Sequence, residues 1–407
     1  MSDVVFILGT GASKLCGAPL MADFLDVANH LLRSRSVEDK KEHYENVFRA
    51  IGALQSVHSK AQLDLTNIES VFTALEISNV LGKLPGFDAT EIPGVIASLK
   101  EVIVKTLEST INFPISQSYV GTPVPYEPFA KLLSHLREEA LPQQSVSIIT
   151  FNCDIAVDMA LHKEGMGPNY GILHDPNCHN PVSLYKLHGS LNWAQRKDSG
   201  TVYPLQLNQY FAKYSIQGLN KRGTCKIPIG SQLSEYFSKY TDVEVESEPV
   251  IVPPTWNKSD YHQALSKIWG KAAQDLSEAR AIFICGYSLP ETDAFFRLLY
   301  ALGTVGSSPL EKITVYNPDD TGAVDKRFRE MLGPGAIARY QYKQMFFHDA
   351  ISDVKALFPA RKHKYITMLI QPTQKTARLI SDVRQEEKRG ECGTSRTSEL
   401  PRELPYF

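Results

Sequence analysis

The chain has 407 residues, of which 43% are hydrophobic and 22% charged, and its formal net charge at pH 7 is −2. This length fits one large α/β domain with insertions or two domains, and the composition is typical of a soluble globular protein. The balanced charge gives no general attraction to nucleic acid, no apolar run approaches the roughly 20 residues that span a bilayer, and the six cysteines form no C-x-x-C pair. We therefore expect a cytoplasmic protein with free thiols, without a zinc ribbon and without membrane or nucleic-acid binding.

Apolar runs rich in β-branched residues predict strands, in chain order, at 3–9, 145–152, 182–189, 249–254, 280–288, 312–320 and, more weakly, 338–343. The strongest runs are continuously apolar, as in parallel strands that are covered on both faces. Helical stretches at 154–165 and 291–303 separate some of these strands. The alternation predicts an α/β fold with a doubly wound, mostly parallel, Rossmann-like sheet.

Two long intervals interrupt this alternation. Residues 24–140 have helical periodicity, for example in 67–84, and predict a large helical insertion, whereas 194–247 have no clear period and predict a loop-rich insertion. We predict one α/β domain over 1–360, followed over 361–407 by a C-terminal strand or helix and a tail. A dehydrogenase-type site places its second strand roughly 20 residues after the first helix, so an interval of about 130 residues disfavours a nicotinamide dehydrogenase.

A glycine-rich loop, Gly9-Thr10-Gly11-Ala12-Ser13, follows the first predicted strand. Closely spaced glycines let the backbone approach a ligand, and we expect a helix that starts near Ser13 to direct its positive end at a phosphate. The alternative is a glycine turn with a serine helix cap. The third glycine of a dinucleotide fingerprint is absent.

Polar residues also follow the next two strands. Asn152 and Asp154 come after the second predicted strand and can either cap the following helix or contact a ribose and a reacting water. His188 precedes Gly189 at the end of the third. A neutral imidazole is the best general base near pH 7 and contributes about 10²–10⁴-fold, although most histidines at strand ends have no chemical role.

The later strands end in further candidates. Gly286 and Ser288 are placed to meet a second phosphate, and Asn317, held extended by Pro318, to bond an adenosine ribose. Each also has a turn or capping alternative. Because open α/β sheets bind ligands at the carboxyl edge of their strands, we expect all of these residues at one site.

In this order the motifs resemble the sirtuin-like family. Residues 187–190 are identical to the family's Leu-His-Gly-Ser, 152–154 are similar to its Asn-Ile-Asp, and 9–13 to its Gly-Ala-Gly-Ile-Ser. Residues 286–289 resemble its Gly-Thr-Ser-Leu, and the strand that ends at Asn317 resembles its late strand ending in Asn. The resemblance implies that the glycine loop holds the pyrophosphate of NAD.

The matches cover about residues 3–30 and 145–320, and the chain departs from the family's deacylases at three places. Cys225 stands alone where deacylases carry a zinc-binding cysteine quartet, and Leu25 replaces the Arg of their Pro-Asp-Phe-Arg. Residues 254–256 are Pro-Thr-Trp where deacylases show the Phe-Gly-Glu of an acyl-lysine groove. The long helical insertion is similar instead to family members that destroy NAD in anti-phage defence.

The resemblance therefore implies an NAD+ hydrolase that cleaves the nicotinamide–ribose bond, gives nicotinamide and ADP-ribose, and depletes NAD in abortive infection. It implies Asn152 and His188 as catalytic residues, NAD+ as the substrate and no metal. The NAD-binding residues that it implies are Gly9, Thr10, Gly11, Ala12, Ser13, Asp154, Gly286, Ser288 and Asn317.

The resemblance also implies a homo-oligomer and an activating partner, either a HerA-type ATPase or another sensor of phage. One alternative is an NAD-dependent protein deacylase or ADP-ribosyltransferase, which needs an acceptor before nicotinamide is released. A second alternative is a non-catalytic sensor of NAD or ADP-ribose.

Overall fold

The computed structural model describes residues 2–57, 62–116, 119–172, 179–214, 222–252, 259–290, 293–306 and 309–360. The predicted C-terminal segment 361–407 and the triplet 254–256 lie outside these residues. The strands are β1 (Val4–Leu8), β2 (Phe113–Ser116), β3 (Tyr119–Val120), β4 (Val146–Thr150), β5 (Pro168–Asn169), β6 (Val182–Lys186), β7 (Trp193–Gln195), β8 (Val202–Pro204), β9 (Gly223–Cys225), β10 (Ala281–Cys285), β11 (Lys312–Tyr316) and β12 (Tyr340–Lys343). The helices are α1 (Phe24–Arg33), α2 (Lys41–Gln55), α3 (Ile68–Leu81), α4 (Ile92–Thr110), α5 (Tyr126–Ser134), α6 (Ala156–Lys163), α7 (Leu207–Lys213), α8 (Leu233–Tyr240), α9 (Ser259–Glu278), α10 (Ala294–Gly303), α11 (Ala323–Met331), α12 (Pro334–Ile337) and α13 (Phe347–Leu357).

The main sheet has seven strands in the order β12-β11-β10-β1-β4-β6-β5, and every pairing in it is parallel. Every residue of β1, β4 and β10 is buried, as their continuously apolar sequences predict. The chain order reverses at β1, which lies between β4 and β10. The predicted mostly parallel, Rossmann-like α/β fold is confirmed.

Helices cover both faces of this sheet. Tyr185 and Lys186 are neighbours on β6 and therefore point to opposite faces. Tyr185 interacts with Asp275 of α9, whereas Lys186 pairs with Asp158 of α6. The helices α5, α6 and α13 pack together on one face, and α9 and α10 on the other. The sheet is therefore doubly wound.

The helices α1 to α4 form a helical module with a hydrophobic core of its own, within the predicted insertion 24–140. Helix α3 begins where the Asn67 side chain accepts a hydrogen bond from the Glu69 N–H at 2.9 Å, and it ends at Gly82, whose φ is +61°. These are standard start and stop signals of a helix. One side of α3 is buried in the module, whereas Ile77, Val80 and Leu81 are exposed.

The segment 249–254 was predicted as a strand of the sheet, and this prediction was wrong for the part that the structure describes. Ile251 makes a single antiparallel bridge with Gly189, in the loop that follows β6. The Val252 N–H donates to the His188 carbonyl and the Ser190 N–H to the Val250 carbonyl, both at 2.9 Å. The run is apolar because it is buried against this loop.

The second predicted insertion, 194–247, contains more regular structure than its composition indicates. The helices α7 and α8 and the strands β8 and β9 lie within it, and β7 leads into it. The four cysteines that the structure describes form no disulfide. In the same part of the chain, we find no helix with the length and apolar character needed to cross a bilayer.

Candidate active site

The loop after β1 does not lead into a helix at Ser13, so that expectation was wrong. Two short 3₁₀ turns, Thr10–Ala12 and Lys14–Cys16, follow β1, and a left-handed Gly17 with φ of +103° ends the second. The first α-helix begins only at Phe24. The Ser13 hydroxyl is therefore not a helix cap, and it is directed at side chains of the neighbouring loops.

The glycines of this loop allow its backbone to approach the backbone of the loop that follows β10. The Gly11 N–H donates to the Gly286 carbonyl at 2.9 Å, which joins the loops that follow β1 and β10. A Cβ on Gly9 would lie 2.5 Å from the Tyr287 Cα, and one on Gly286 would lie 2.4 Å from the Ala12 nitrogen. Glycine is required here because the reversal of strand order brings these loops together.

Asn152, directly after β4, has its carboxamide orientation fixed by two acceptors. Its Nδ2 donates to the Gly9 carbonyl and to the Ser13 Oγ, both at 3.0 Å. Both amide protons are thereby used. Its Oδ1 is buried and has no hydrogen-bond partner among the described residues. The loop thus presents a hydrogen-bond acceptor that still needs a donor.

Ser13 and Asp154 join the loops that follow β1 and β4. The Ser13 Oγ donates to Asp154 Oδ2 at 2.8 Å, while Asp154 Oδ1 accepts from the Ala156 N–H at 2.9 Å. Burial raises the pKa of the Asp154 carboxyl, and the nearby Lys186 charge opposes this rise. Asp154 therefore both caps α6 and anchors the glycine loop.

Tyr126, the first residue of α5, is a site residue that the sequence analysis missed. Its hydroxyl lies 2.8 Å from the Ser13 Oγ, and burial raises its pKa well above the usual value. The side chain is 1% exposed. No motif marks it, because a tyrosine in an amphipathic helix looks like a core residue.

His188 follows β6 and is buried to 8% exposure. Its ring packs edge-on against Phe151, with 5.2 Å between the ring centroids, and Phe151 stacks on Tyr287 at 4.6 Å. Gly189 has a φ of +80°, and a Cβ there would lie 2.0 Å from the Val250 carbonyl oxygen. The His-Gly pair thus lets the segment around Val250 cross directly behind the histidine.

These loops and the helical module line a half-open cavity of about 80 Å³, several times the ~10–15 Å³ that a water needs. The predicted site residues that line it are Thr10, Ser13, Asn152, Asp154 and His188. The module covers them with residues of α1, α3 and α4, namely Phe24, Ile68, Glu69, Phe72, Ile103 and Leu107. Polar groups of the sheet edge therefore face a mostly apolar roof.

The other predicted residues do not line this cavity. Asn317 uses its side chain locally, since Nδ2 donates to the Tyr287 carbonyl at 3.3 Å and Oδ1 accepts from the Asp319 N–H at 3.0 Å. Ser288 is exposed, and its carbonyl accepts from Arg327 Nε at 3.0 Å. Gly9, Gly11, Ala12 and Gly286 form the floor behind the cavity by the backbone contacts above. The described residues include no group of three or more His, Cys, Asp or Glu side chains that could hold a metal ion.

The chain is similar to solved structures of Sir2 homologues. A Sir2 homologue in complex with NAD is 12% identical, with a TM-score of 0.38 over 88% of this chain and 89% of that chain. Sir2Tm bound to a propionylated peptide is 13% identical, with a TM-score of 0.36 over 87% and 92%. No protein-family model matches the chain, and no curated protein matches it in sequence. At these TM-scores the structural similarity supports no conclusion about function. Function must therefore be inferred from the residues of the site itself.

Proposed function

We propose that the chain is an NAD+ hydrolase that cleaves the bond between nicotinamide and ribose. The observation that carries this proposal is the buried Oδ1 of Asn152, which has no partner among the described residues and belongs to the same cavity as His188. An unmet buried acceptor costs about 1–3 kcal/mol, so it is expected where a ligand supplies the donor. A ribose hydroxyl or an attacking water is such a donor, and His188 is the general base beside it.

In this reaction the bond between C1′ of the ribose and the nicotinamide nitrogen breaks. Its electron pair leaves with nicotinamide, which becomes neutral, while C1′ develops oxocarbenium character. The oxygen of a water then bonds to C1′, and His188 accepts a proton of that water and returns it to solvent. Asn152 orients the ribose or the water, and Asp154 lies near the nicotinamide–ribose region.

The remaining predicted residues complete the proposed binding site. In this proposal the glycine loop 9–13 lies against the pyrophosphate, and its Gly9, Gly11, Ala12 and Ser13 N–H groups, which donate to backbone carbonyls, must exchange partners to bind it. Gly286 and Ser288 lie near a second phosphate, and Asn317 binds the adenosine ribose. The last of these contacts needs the Asn317 side chain to exchange its present partners for the ribose. The apolar roof excludes bulk water and favours the departing nicotinamide ring.

We propose that the cellular role is depletion of NAD in anti-phage defence, in the cytoplasm. A homo-oligomer and an activator, such as a HerA-type ATPase, complete this proposal. Its support is the sequence resemblance described above, together with the need to restrain such a reaction in a healthy cell. Binding of NAD requires no metal.

The test is incubation of the purified protein with NAD alone, with detection of nicotinamide and ADP-ribose. We expect both products in equal amounts, and their loss in His188→Ala. His162→Ala, which removes a half-buried histidine of α6 outside the cavity, is the matched control and should retain turnover. Release of nicotinamide only when an acyl-lysine peptide is added would favour the deacylase instead. ADP-ribose binding without any turnover, in the presence of candidate activators, would favour the sensor.

A further inference from the structure

Lys186, directly before the Leu-His-Gly-Ser motif 187–190, has no part in the proposed reaction. Lys186 is the last residue of β6, and its side chain is fully buried. Its Nζ donates to the Asp154 carbonyl oxygen at 2.6 Å and to Asp158 Oδ2 at 2.8 Å. A buried charge is costly unless it is paired and hydrogen-bonded, so a specific requirement is expected to retain it.

The ion pair continues into a chain of buried polar groups. The Tyr170 hydroxyl donates to Asp158 Oδ1 at 2.5 Å and accepts from Asn192 Nδ2 at 3.0 Å. The Ser190 hydroxyl contacts Asn192 Oδ1 at 2.6 Å. We refer to Lys186, Asp158, Tyr170, Asn192 and Ser190 together as the Lys186 network.

The network is attached to the backbone of both catalytic loops. Lys186 holds the carbonyl of Asp154, while the Cys153 carbonyl accepts from the Leu191 N–H at 2.9 Å and lies 3.4 Å from the Ser190 Oγ. Residues 152–154 carry the Asn152 carboxamide, and residues 187–192 carry His188. The same groups therefore link the loop that carries Asn152 to the loop that carries His188.

We propose that Lys186 is a positioning residue, which through the Lys186 network holds the Asn152 loop and the His188 loop in register for the reaction. This inference rests on the proposed NAD+ hydrolysis for its kinetic readout. It gives a role to the buried polar side chains of Lys186, Ser190 and Asn192 on either side of His188. A lysine in this role acts as a charged donor to a carbonyl, which a neutral side chain of the same length cannot replace.

The first test compares Lys186→Met/Asp158→Asn with Asp158→Asn. The double variant removes both charges together and leaves no unpaired buried charge, whereas Asp158→Asn leaves Lys186 without its carboxylate and is expected to lose stability. The double variant also removes the hydrogen bond to the Asp154 carbonyl, which Asp158→Asn keeps. We expect kcat to fall about 100-fold in the double variant, as for a misplaced catalytic group, and much less in Asp158→Asn.

The affinity for ADP-ribose distinguishes a loss of positioning from a general loss of structure at the site. The Kd for ADP-ribose should stay within about threefold of the unaltered protein, because the change acts on kcat rather than on ground-state binding. Lys343→Met is the matched control, since it removes a partly buried lysine that pairs with Asp353 at the far edge of the sheet. It should leave kcat unchanged.

If the double variant does not fold, Ser190→Ala takes its place. This substitution removes one hydroxyl of the network, and with it the contacts of Ser190 Oγ to the Cys153 carbonyl and to Asn192 Oδ1. We expect kcat to fall about tenfold with Kd unchanged. The proposal is overturned if the folded double variant or Ser190→Ala keeps the kcat of the unaltered protein, or if folded Asp158→Asn loses as much kcat as the double variant.

Crystal structures of the same variants make this test independent of turnover. We expect residues 152–154 to move by more than about 0.5 Å and the Asn152 Nδ2 to lose its bond to the Gly9 carbonyl. An unmoved loop contradicts the positioning role even if the unaltered protein cleaves no NAD. If the unaltered protein cleaves no NAD but the loop 152–154 is displaced in the variants, the proposed function is contradicted and the positioning role of Lys186 is not.

Discussion

The carboxyl edge of the sheet has two regions that use the same residue types differently. In the first, the loops after β1, β4 and β6 line a cavity, and Asn152 keeps one buried acceptor for which the described part of the chain offers no donor. In the second, the loops after β10 and β11 satisfy each other, and Asn317 uses both ends of its amide. An asparagine at the end of a strand can therefore bind a ligand only where the fold leaves one of its amide atoms without a hydrogen-bond partner.

The largest expected effect on kcat comes from substituting the asparagine of each region, Asn152 and Asn317. Asn152→Ala should lower NAD turnover by about 10³-fold, or about 4 kcal/mol, because it removes a preorganised polar contact of the transition state. Asn317→Ala is the matched variant and should lower kcat less than about tenfold, at a stability cost of about 1–3 kcal/mol. Steady-state kinetics with NAD measures both. A strong rise of KM in Asn317→Ala would support its predicted ribose contact and show that the second region opens to bind NAD.

The contact between the loops after β1 and β10 is tested by comparing the stability of Gly286→Ala with that of Gly82→Ala. Their φ values are nearly equal, +63° and +61°, so both substitutions carry the same backbone strain of about 1 kcal/mol. A Cβ at Gly286 would also lie 2.4 Å from the Ala12 nitrogen, whereas at Gly82 the nearest atom is 3.7 Å away. We expect Gly286→Ala to lose more than about 3 kcal/mol of unfolding free energy and Gly82→Ala about 1. Urea denaturation measures both, and equal losses would rule out the close approach of the two loops.

The stability of the fold should respond to pH through Glu108 of α4, which contacts Ser231 and is not among the residues that line the cavity. Its carboxylate accepts hydrogen bonds from the Ser231 N–H at 2.9 Å and from the Ser231 hydroxyl, and burial raises its pKa to about 7. Because the folded state binds this proton more tightly than the unfolded state, the stabilising effect is complete below about pH 4.5. It is lost as the pH rises to about 7, by about 3 kcal/mol in total.

Glu108→Gln should remove this dependence while keeping an acceptor for Ser231. The measurement is the free energy of unfolding at pH 5 and pH 8 for both proteins. We expect the unaltered protein to lose more stability between these pH values than the variant. Parallel pH profiles would show that Glu108 is ionised throughout this range.

The smallest effect is expected at Ser288, in the second region. The residue is exposed and only its carbonyl has a described contact, so Ser288→Ala should change the unfolding free energy by less than about 0.5 kcal/mol. Its predicted phosphate contact is tested separately by the KM for NAD. An unchanged KM would remove Ser288 from the binding site, and a raised KM with unchanged stability would keep it there.

The sequence predicts the sheet well because buried parallel strands are continuously apolar, and it predicts the edge loops because glycine and polar residues cluster where strands end. It fails at 249–254, since Pro249 has no N–H for a ladder and this run pairs with a loop rather than a strand. The turn after Ser13 depends on Gly17, which stops the helix that the pattern indicates. Tyr126 and Lys186 belong to the site only through tertiary contacts, and a lysine in a strand gives no sequence signal of complete burial.

Helix α3 connects the cavity with the outside of the protein. It places Phe72 in the cavity wall, while Val80 and Leu81, farther along the same helix, are exposed. At 1.5 Å per residue, the eight residues from Phe72 to Val80 correspond to about 12 Å of helix. A wall of the cavity and an exposed apolar surface therefore belong to one rigid element, about two helical turns apart.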